Sequence, residues 1–540
     1  MPSVETRIRI LITLLGALFF FSFNGAVHLF DWDEINFAES AREMIVTGDY
    51  STVRINFIPF WEKPPLYIWL QVLSMKAFGI NEFAARFPNA VCGVLTLLVL
   101  FEIGNRQRNY RFGLFWALAY GASVLPFLYF KSGIIDPWFN LFIFLAVYFA
   151  YSHFEKKGQK PTGSITILLS GAMLGLAVLT KGPVAILLFG LTLIVYIAVE
   201  RKFRMIKVSD FFLFCVTTIL IGGAYHIYQM AIGNWQLIHD FFVYQLRLLK
   251  TEDAGHGGSI FYHAIVLFIG VFPASVLALP ALFKKTSRTG FELLMVALFW
   301  IVLVIFSLVK TKIVHYSSLC YFPISFLAAV TMYRISTSEI KLGKATNAFL
   351  LVIGFIFALS PALIQFLVSP EWRPFLQKYV HDDFALACLN RSVHWSGWEF
   401  FPGLILGLSL IISQFLKAIK RIVMIYAGIT VFVILFMMVL LPKIEKYSQG
   451  AAIDFITELK DQNVWISTLG YKSYATYFYS EKNGRACESI DENGCLLEGT
   501  PTRDIYFIVK VTSVDHLLST YPQLELVKKD GGFALLKRHQ

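Results

Sequence analysis

Charge is scarce in this chain. Only 15% of its 540 residues are Asp, Glu, Lys or Arg, where a soluble globular domain carries about a quarter. Hydrophobic residues make up 56%, and many lie in runs near the roughly 20 residues that cross a bilayer, so a single large soluble core is excluded. Cysteine is also sparse. Of the six cysteines, Cys92, Cys215 and Cys320 fall in apolar runs as packing residues, and Cys388 falls in a loop, so no disulfide framework exists. Cys487 and Cys495 lie close together in a polar region and can pair if that region is extracytoplasmic; spacing leaves both states equally open. No RNA- or DNA-binding motif accompanies the net charge of +11, so nucleic acid is not an expected partner. Internal repeats and mid-span charge clusters are lacking too, which weighs against a transporter.

What is present is about thirteen apolar runs, at 8–30, 83–103, 112–130, 135–153, 164–180, 184–199, 211–231, 261–283, 291–309, 316–333, 346–368, 401–416 and 421–441, each a candidate span by length. The first follows Arg7 and Arg9. It is long for a signal peptide and has no small-x-small cleavage site, so it reads as a retained helix. Basic residues cluster in alternate loops, for example Arg106, Arg108 and Arg111, then Arg334, Lys341 and Lys344, then Lys417, Lys420 and Arg421. This positive-inside pattern puts the N-terminus in the cytoplasm. It puts outside the first loop, 31–82, the loops 232–260 and 369–400, and the C-terminal region. The first outer loop carries two amphipathic pieces that read as helices in the interface plane. From Lys443 the pattern shifts: "VWIS", "DIYFIVKV", "LELVKK" and "FALLKR" read as strands, "AAIDFITELK" and "VDHLLSTY" as helices. The expected organisation is a mainly α, polytopic membrane domain over 1–442 and a small outer α/β domain over 443–540.

Ionisable residues gather at the outer ends of the runs: Asp33 and Glu34 after the first, Glu62 and Lys63 in "FWEKPPLYIW", Lys131 and Asp136 in "YFKSGIIDPWF", Lys181 in "TKGP", Arg247 and His256 in an outer loop, and Lys310, Lys312 and His315 before Tyr316 in "KTKIVHYSS". Each has an ordinary reading. Asp33 and Glu34 suit a helix N-terminus, Lys63 can snorkel, Lys181 can flank a span, and His256 can be a surface histidine. Lysines on the outer side are disfavoured unless they meet an anion. A lipid phosphate is the anion that Lys and Arg bind well, and a nearby carboxylate can take a proton from an acceptor hydroxyl. Together these point to glycosyl transfer from a lipid-linked sugar. A lipid-binding protein without transferase activity is the remaining alternative, with basic loops holding head groups.

The order "DE", "AESAREM", "GDY", "EKPPLYIW", a loop Asp, "TKGP" and "KTKIVHYSSLCYFP" resembles the bacterial ArnT-like and protein O-mannosyltransferase superfamily. These are polytopic glycosyltransferases of the GT-C fold, and the topology is similar to the aminoarabinose transferases in particular. The resemblance implies a polyprenyl-phosphate sugar as donor, a glycolipid such as lipid A or a protein hydroxyl as acceptor, and single displacement with inversion. It implies an integral protein of a bacterial inner membrane with an outer-facing site. Asp33 resembles the catalytic carboxylate and Asp136 the second loop carboxylate. Lys63 corresponds to a donor-phosphate ligand, joined by Arg247 and Lys312, with Glu34, Glu62, His256, His315 and Tyr316 in support. No cofactor is required, and a divalent metal at Glu62 and His256 is left open. The chain departs from the family motif at Asn36 and Phe37, where Arg and Tyr are common, and at Phe60, where Tyr is frequent. The donor sugar and the acceptor therefore do not carry over.

Overall fold

Along its long apolar runs the chain is helical, because a backbone in hydrocarbon must bond to itself. A computed structural model describes residues 3–156, 165–202, 207–250, 257–283, 288–487, 492–500 and 503–538. Every one of the expected apolar runs falls on a helix or on two helices in succession. Five helices, among them α4 (Glu82–Gln107), Gly290–Leu308 and Lys344–Leu367, are long and apolar enough to cross a membrane, or up to seven spans if two bent pairs count as one each. The bent pairs are Val208–Gly222 with Ala224–Ala231, and Tyr262–Gly270 with Ala274–Leu282. Fewer of the expected thirteen runs thus pass by length and composition among the described residues, since several break into shorter helices. The first, α1 (Val4–Phe21), opens on Ser3, whose hydroxyl accepts from the Thr6 N–H.

Two helices follow between α1 and α4, α2 (Asp33–Thr47) and α3 (Leu66–Phe78), joined through the hairpin β1 (Arg54–Ile55) and β2 (Ile58–Pro59). α3 keeps an exposed apolar face at Leu73 and Phe78, as an interfacial helix should. α2 does not. Every residue from Glu34 to Met44 is buried, because the C-terminal segment covers the face expected to meet water. Ile35, Phe37, Ala41 and Met44 share one apolar cluster with Phe455, Phe478 and Ile508.

The expected strands form one sheet in the order β3 (Val464–Thr468), β4 (Asp504–Lys510), β6 (Phe533–Arg538), β5 (Leu524–Asp530). β3 and β4 are parallel; the other pairs are antiparallel. Gly531 at φ +52° opens the β5–β6 turn. Cys487 and Cys495 are joined by a disulfide.

Burying α2 requires its charges to be paired. Glu34 accepts from Arg86 Nε at 3.0 Å and Nη2 at 2.8 Å, from the Phe30 N–H at 2.9 Å and from the Gly133 N–H. Arg86 also donates to the carbonyls of Asn24, Val27 and His28 at 2.8–2.9 Å. Burial pushes the Glu34 carboxyl up, but the charge and hydrogen bonds of Arg86, with the two N–H donors, outweigh it and hold the group below the ordinary carboxylate range. Further along α2, Arg42 grips Glu39 with two 2.7 Å bonds. Glu43 accepts from the Phe57 N–H at 2.9 Å, while its other oxygen is buried without a partner. Burial and the adjacent Glu39 push the Glu43 carboxyl up to about 9.

Two outcomes follow from these buried charges. Arg86→Ala strands the Glu34 charge and should cost about 3–5 kcal/mol, whereas an apolar pair at both positions should recover much of that loss. Detergent-solubilised melting curves of the single and double variants measure the difference. Glu43 has a raised pKa, so the stability its proton supplies is complete below its ordinary value and fades as pH climbs towards about 9. The melting temperature should decline over that window, and Glu43→Gln should flatten the decline. An unchanged slope in Glu43→Gln would show that the group ionises freely in the folded chain.

Candidate active site

Two helix N-termini and one 3₁₀ turn converge on a single point. Asp33 begins α2, and Asp136 begins the helix Asp136–Lys156, positions where a carboxylate meets unpaired N–H groups and the favourable end of the dipole. Pro137 follows Asp136 at a position where a helix does not miss its N–H. The turn Val314–Cys320 carries His315 between the two acids: its Nε2 lies 3.5 Å from Asp33 Oδ2 and 3.9 Å from Asp136 Oδ2. Lys181, closing the helix Ile165–Lys181, donates to Asp136 Oδ1 at 2.6 Å. Its ammonium also lies 5.1 Å from the centre of the Tyr316 ring.

Neutral hydrogen bonds fix this geometry. Asn89 donates to the carbonyls of Ser132 and Ile134 at 2.6 and 2.7 Å, which sets the approach to Asp136. Asn140 donates to Ser318 Oγ at 2.7 Å, and Ser318 donates to the His315 carbonyl at 2.5 Å. The histidine turn is thereby pinned to the Asp136 helix. The two acids differ in access. The side chain of Asp136 is 3% exposed and that of Asp33 is 31% exposed. Asp136 is committed to Lys181, while Asp33 faces solvent.

Of the cations expected at a donor phosphate, Lys63 and Arg247 share one aromatic neighbour. Lys63 Nζ is 5.7 Å and the Arg247 guanidinium 5.2 Å from the centre of the Tyr244 ring, which Trp61 meets edge-on at 5.3 Å. The charge of Lys63 reaches Asp136 and His315, so Lys63 adjoins the acids. Lys312 does not join them. Its ammonium donates to the carbonyls of Phe306, Ser307 and Val309 at 3.1, 2.7 and 2.6 Å, capping the end of the preceding helix. Lys131 likewise bonds the carbonyls that end α1. Glu62 lines a separate cavity beside the hairpin. His256 lies outside the described residues. Among the described residues no three His, Cys, Asp or Glu side chains group as a metal site.

Lys181 carried no assigned role in the sequence reading, although "TKGP" marked it. Arg86 was missed, being one arginine within an apolar run. Also missed was the C-terminal stretch 472–474 beside the site: the Tyr474 N–H donates to Asp31 Oδ1 at 3.3 Å, and Tyr474 meets Trp32 edge-on at 5.1 Å. Burial pushes the Asp31 carboxyl up to about 6 against hydrogen bonds from Ser473 and Tyr474 and the charge of Lys472.

Residues 62–228 match the family model described as dolichyl-phosphate-mannose-protein mannosyltransferase. An uncharacterised protein of Aquifex aeolicus is 28% identical over 71% of this chain and 88% of its own length. The undecaprenyl phosphate-alpha-4-amino-4-deoxy-L-arabinose arabinosyl transferase of Photorhabdus laumondii is 24% identical over 66% of this chain and 67% of its own. Among solved structures, ArnT from Cupriavidus metallidurans bound to undecaprenyl phosphate superposes with a TM-score of 0.76 at 19% identity, covering 99% of this chain and 98% of that one. That fold runs along nearly the whole chain, and the mannosyltransferase model spans Glu62, Lys63, Asp136 and Lys181, so the chain is an integral membrane protein with the GT-C fold.

Proposed function

We propose that the chain transfers a sugar from a polyprenyl-phosphate donor to a hydroxyl of a glycolipid or protein acceptor, with inversion at the anomeric carbon. The observation that carries the reading is the relay of Asp33, His315, Asp136 and Lys181 beside the paired cations Lys63 and Arg247. Asp33, the accessible acid, takes the proton of the acceptor hydroxyl as its oxygen bonds to the anomeric carbon. The bond from that carbon to the phosphate oxygen breaks, and its electron pair leaves on the lipid phosphate, where Lys63 and Arg247 meet the added charge. One displacement with entry and exit on opposite faces inverts the centre. Asp136, sealed against Lys181, positions His315, and His315 positions Asp33. Glu34 holds the loop, Tyr316 packs against Lys181, and Glu62 adjoins the acceptor side. The ArnT structure bound to undecaprenyl phosphate supports the donor class.

The same reading divides the chain into a catalytic membrane portion over 1–442 and an extracytoplasmic α/β portion over 443–540. It places the site on the outer face of a bacterial inner membrane, with the N-terminus inside. The basic loops and the disulfide at Cys487–Cys495 support that orientation.

The test offers nanodisc-embedded protein a panel of polyprenyl-phosphate sugars with glycolipid and Ser/Thr-peptide acceptors and follows release of polyprenyl phosphate. Asp33→Asn should lower turnover by about 10²–10⁴-fold, the usual worth of a positioned base, with undecaprenyl-phosphate binding retained. Turnover that survives Asp33→Asn would remove the proposed base; failure of every donor to bind would favour a scaffold. Lys63→Ala should raise the donor KM about tenfold or more, since a charge-assisted bond is worth about 1.5–3 kcal/mol, and leave the acceptor KM unchanged. A shift confined to the acceptor KM would move Lys63 out of the donor subsite.

A further inference from the structure

A cavity of about 660 Å³ opens between the β1–β2 hairpin and the C-terminal stretch that follows β3. Its size suits a ligand of a few rings. Trp61 and Glu62 line it from the hairpin side; Tyr471, Lys472, Tyr474 and Glu492 line it from the C-terminal side. It adjoins the segment that leads into Asp33. Tyr474 bonds Asp31 through its backbone and packs on Trp32, the residue before Asp33, and its hydroxyl lies within the fields of Glu62, Asp31 and Asp33. That hydroxyl is buried without a hydrogen-bond partner, and a buried hydroxyl is rarely left unpaired in a completed site.

The lining distinguishes between ligands. Two carboxylates, Glu62 and Glu492, face one ammonium, Lys472, which already lies 5.2 and 5.0 Å from the centres of the Trp32 and Tyr474 rings. A phosphorylated head group would meet two carboxylates there. An anionic phosphate acceptor would also need no base, whereas a hydroxyl acceptor needs the one Asp33 provides. A peptide would bind most readily by adding to an exposed strand edge. The residues of β3 that reach the cavity, Ser467 and Thr468, are 5% and 7% exposed, so that edge is not open. An uncharged sugar ring fits better: its C–H face packs on tyrosine and tryptophan, and its hydroxyls can pair with Tyr474, Glu62 and Glu492.

We propose that this cavity is the acceptor subsite and that the acceptor is an uncharged sugar unit, glycosylated at a hydroxyl and not at a phosphate. The proposal rests on the transferase reading. In the step, the acceptor oxygen gives its proton to Asp33 and bonds to the donor's anomeric carbon, and the lipid phosphate leaves with the electron pair.

A photoreactive octyl β-D-glucopyranoside, applied to the full chain in nanodiscs and mapped by mass spectrometry, tests it. Saturable labelling is expected on 54–62 and 467–477, displaced by unlabelled octyl glucoside but not by diphosphoryl lipid A or a Ser/Thr peptide. Tyr474→Phe should weaken that labelling about five- to tenfold, the worth of one hydrogen bond, with undecaprenyl-phosphate binding unchanged. Displacement by methyl glucoside as well would assign the site to a sugar whatever its carrier; displacement only by the octyl form would assign it to a glycolipid. Displacement by lipid A or by the peptide, labelling elsewhere, or no saturable labelling would overturn the proposal. Absence of undecaprenyl-phosphate binding in the unaltered chain would instead overturn the transferase reading beneath it.

Discussion

Glu34 and Arg86 are buried together, and the start of α2, the end of the first helix and the loop before Asp136 are arranged around that pair. A guanidinium and a carboxylate removed from water are stable only when nearly every donor and lone pair is used. Here Arg86 spends its remaining donors on three carbonyls between α1 and α2, and Glu34 accepts from Phe30 and Gly133. One pair therefore ties the end of the first helix, the start of α2 and the loop before Asp136 to the helix that carries Arg86. Asp33 precedes Glu34 and Asp136 lies three positions after Gly133. The separation of the two acids is set by an interaction in which neither takes part.

The acids themselves show how access divides otherwise similar groups. Both stand at helix N-termini and both lie near His315. Asp136 is sealed and matched by Lys181, so its charge is fixed in place and orients the imidazole. Asp33 has no such lysine bonded to it among the described residues, and it keeps a solvent-exposed side chain. Only a carboxylate of the second kind can exchange a proton with an arriving substrate. A histidine lodged between them transmits the position of the buried acid to the exposed one.

Local pattern carried much of this. The apolar runs became helices and the alternating stretches after Lys443 became β3 to β6, because both periods express burial of a single element. Pattern failed where burial came from distant chain. α2 reads as an amphipathic surface helix, with Glu39, Arg42 and Glu43 on its polar side. The structure covers that side with the C-terminal segment, and Arg42 donates to the Lys482 carbonyl at 3.1 Å. Lys312 was read as a phosphate ligand because it stands on the outer side among other bases. Nothing within "KTK" indicates that its ammonium turns back to cap a helix. Arg86 and Tyr474 gain their meaning only from partners tens or hundreds of positions away.

The departure from the family motif at Asn36 and Phe37 can now be read physically. Phe37 is fully buried and meets Tyr67 edge-on at 5.9 Å, so a hydroxyl lost here is lost from the core. Asn36 is 1% exposed, and its amide oxygen has no hydrogen-bond partner. Both side chains are buried away from solvent. The cations proposed to meet the lipid phosphate, Lys63 and Arg247, come from two separate segments that converge on Tyr244. A substitution inside α2 therefore acts through packing and the placement of Asp33. In the proposed reading, contact with the donor phosphate falls instead to Lys63 and to the helix Trp235–Lys250.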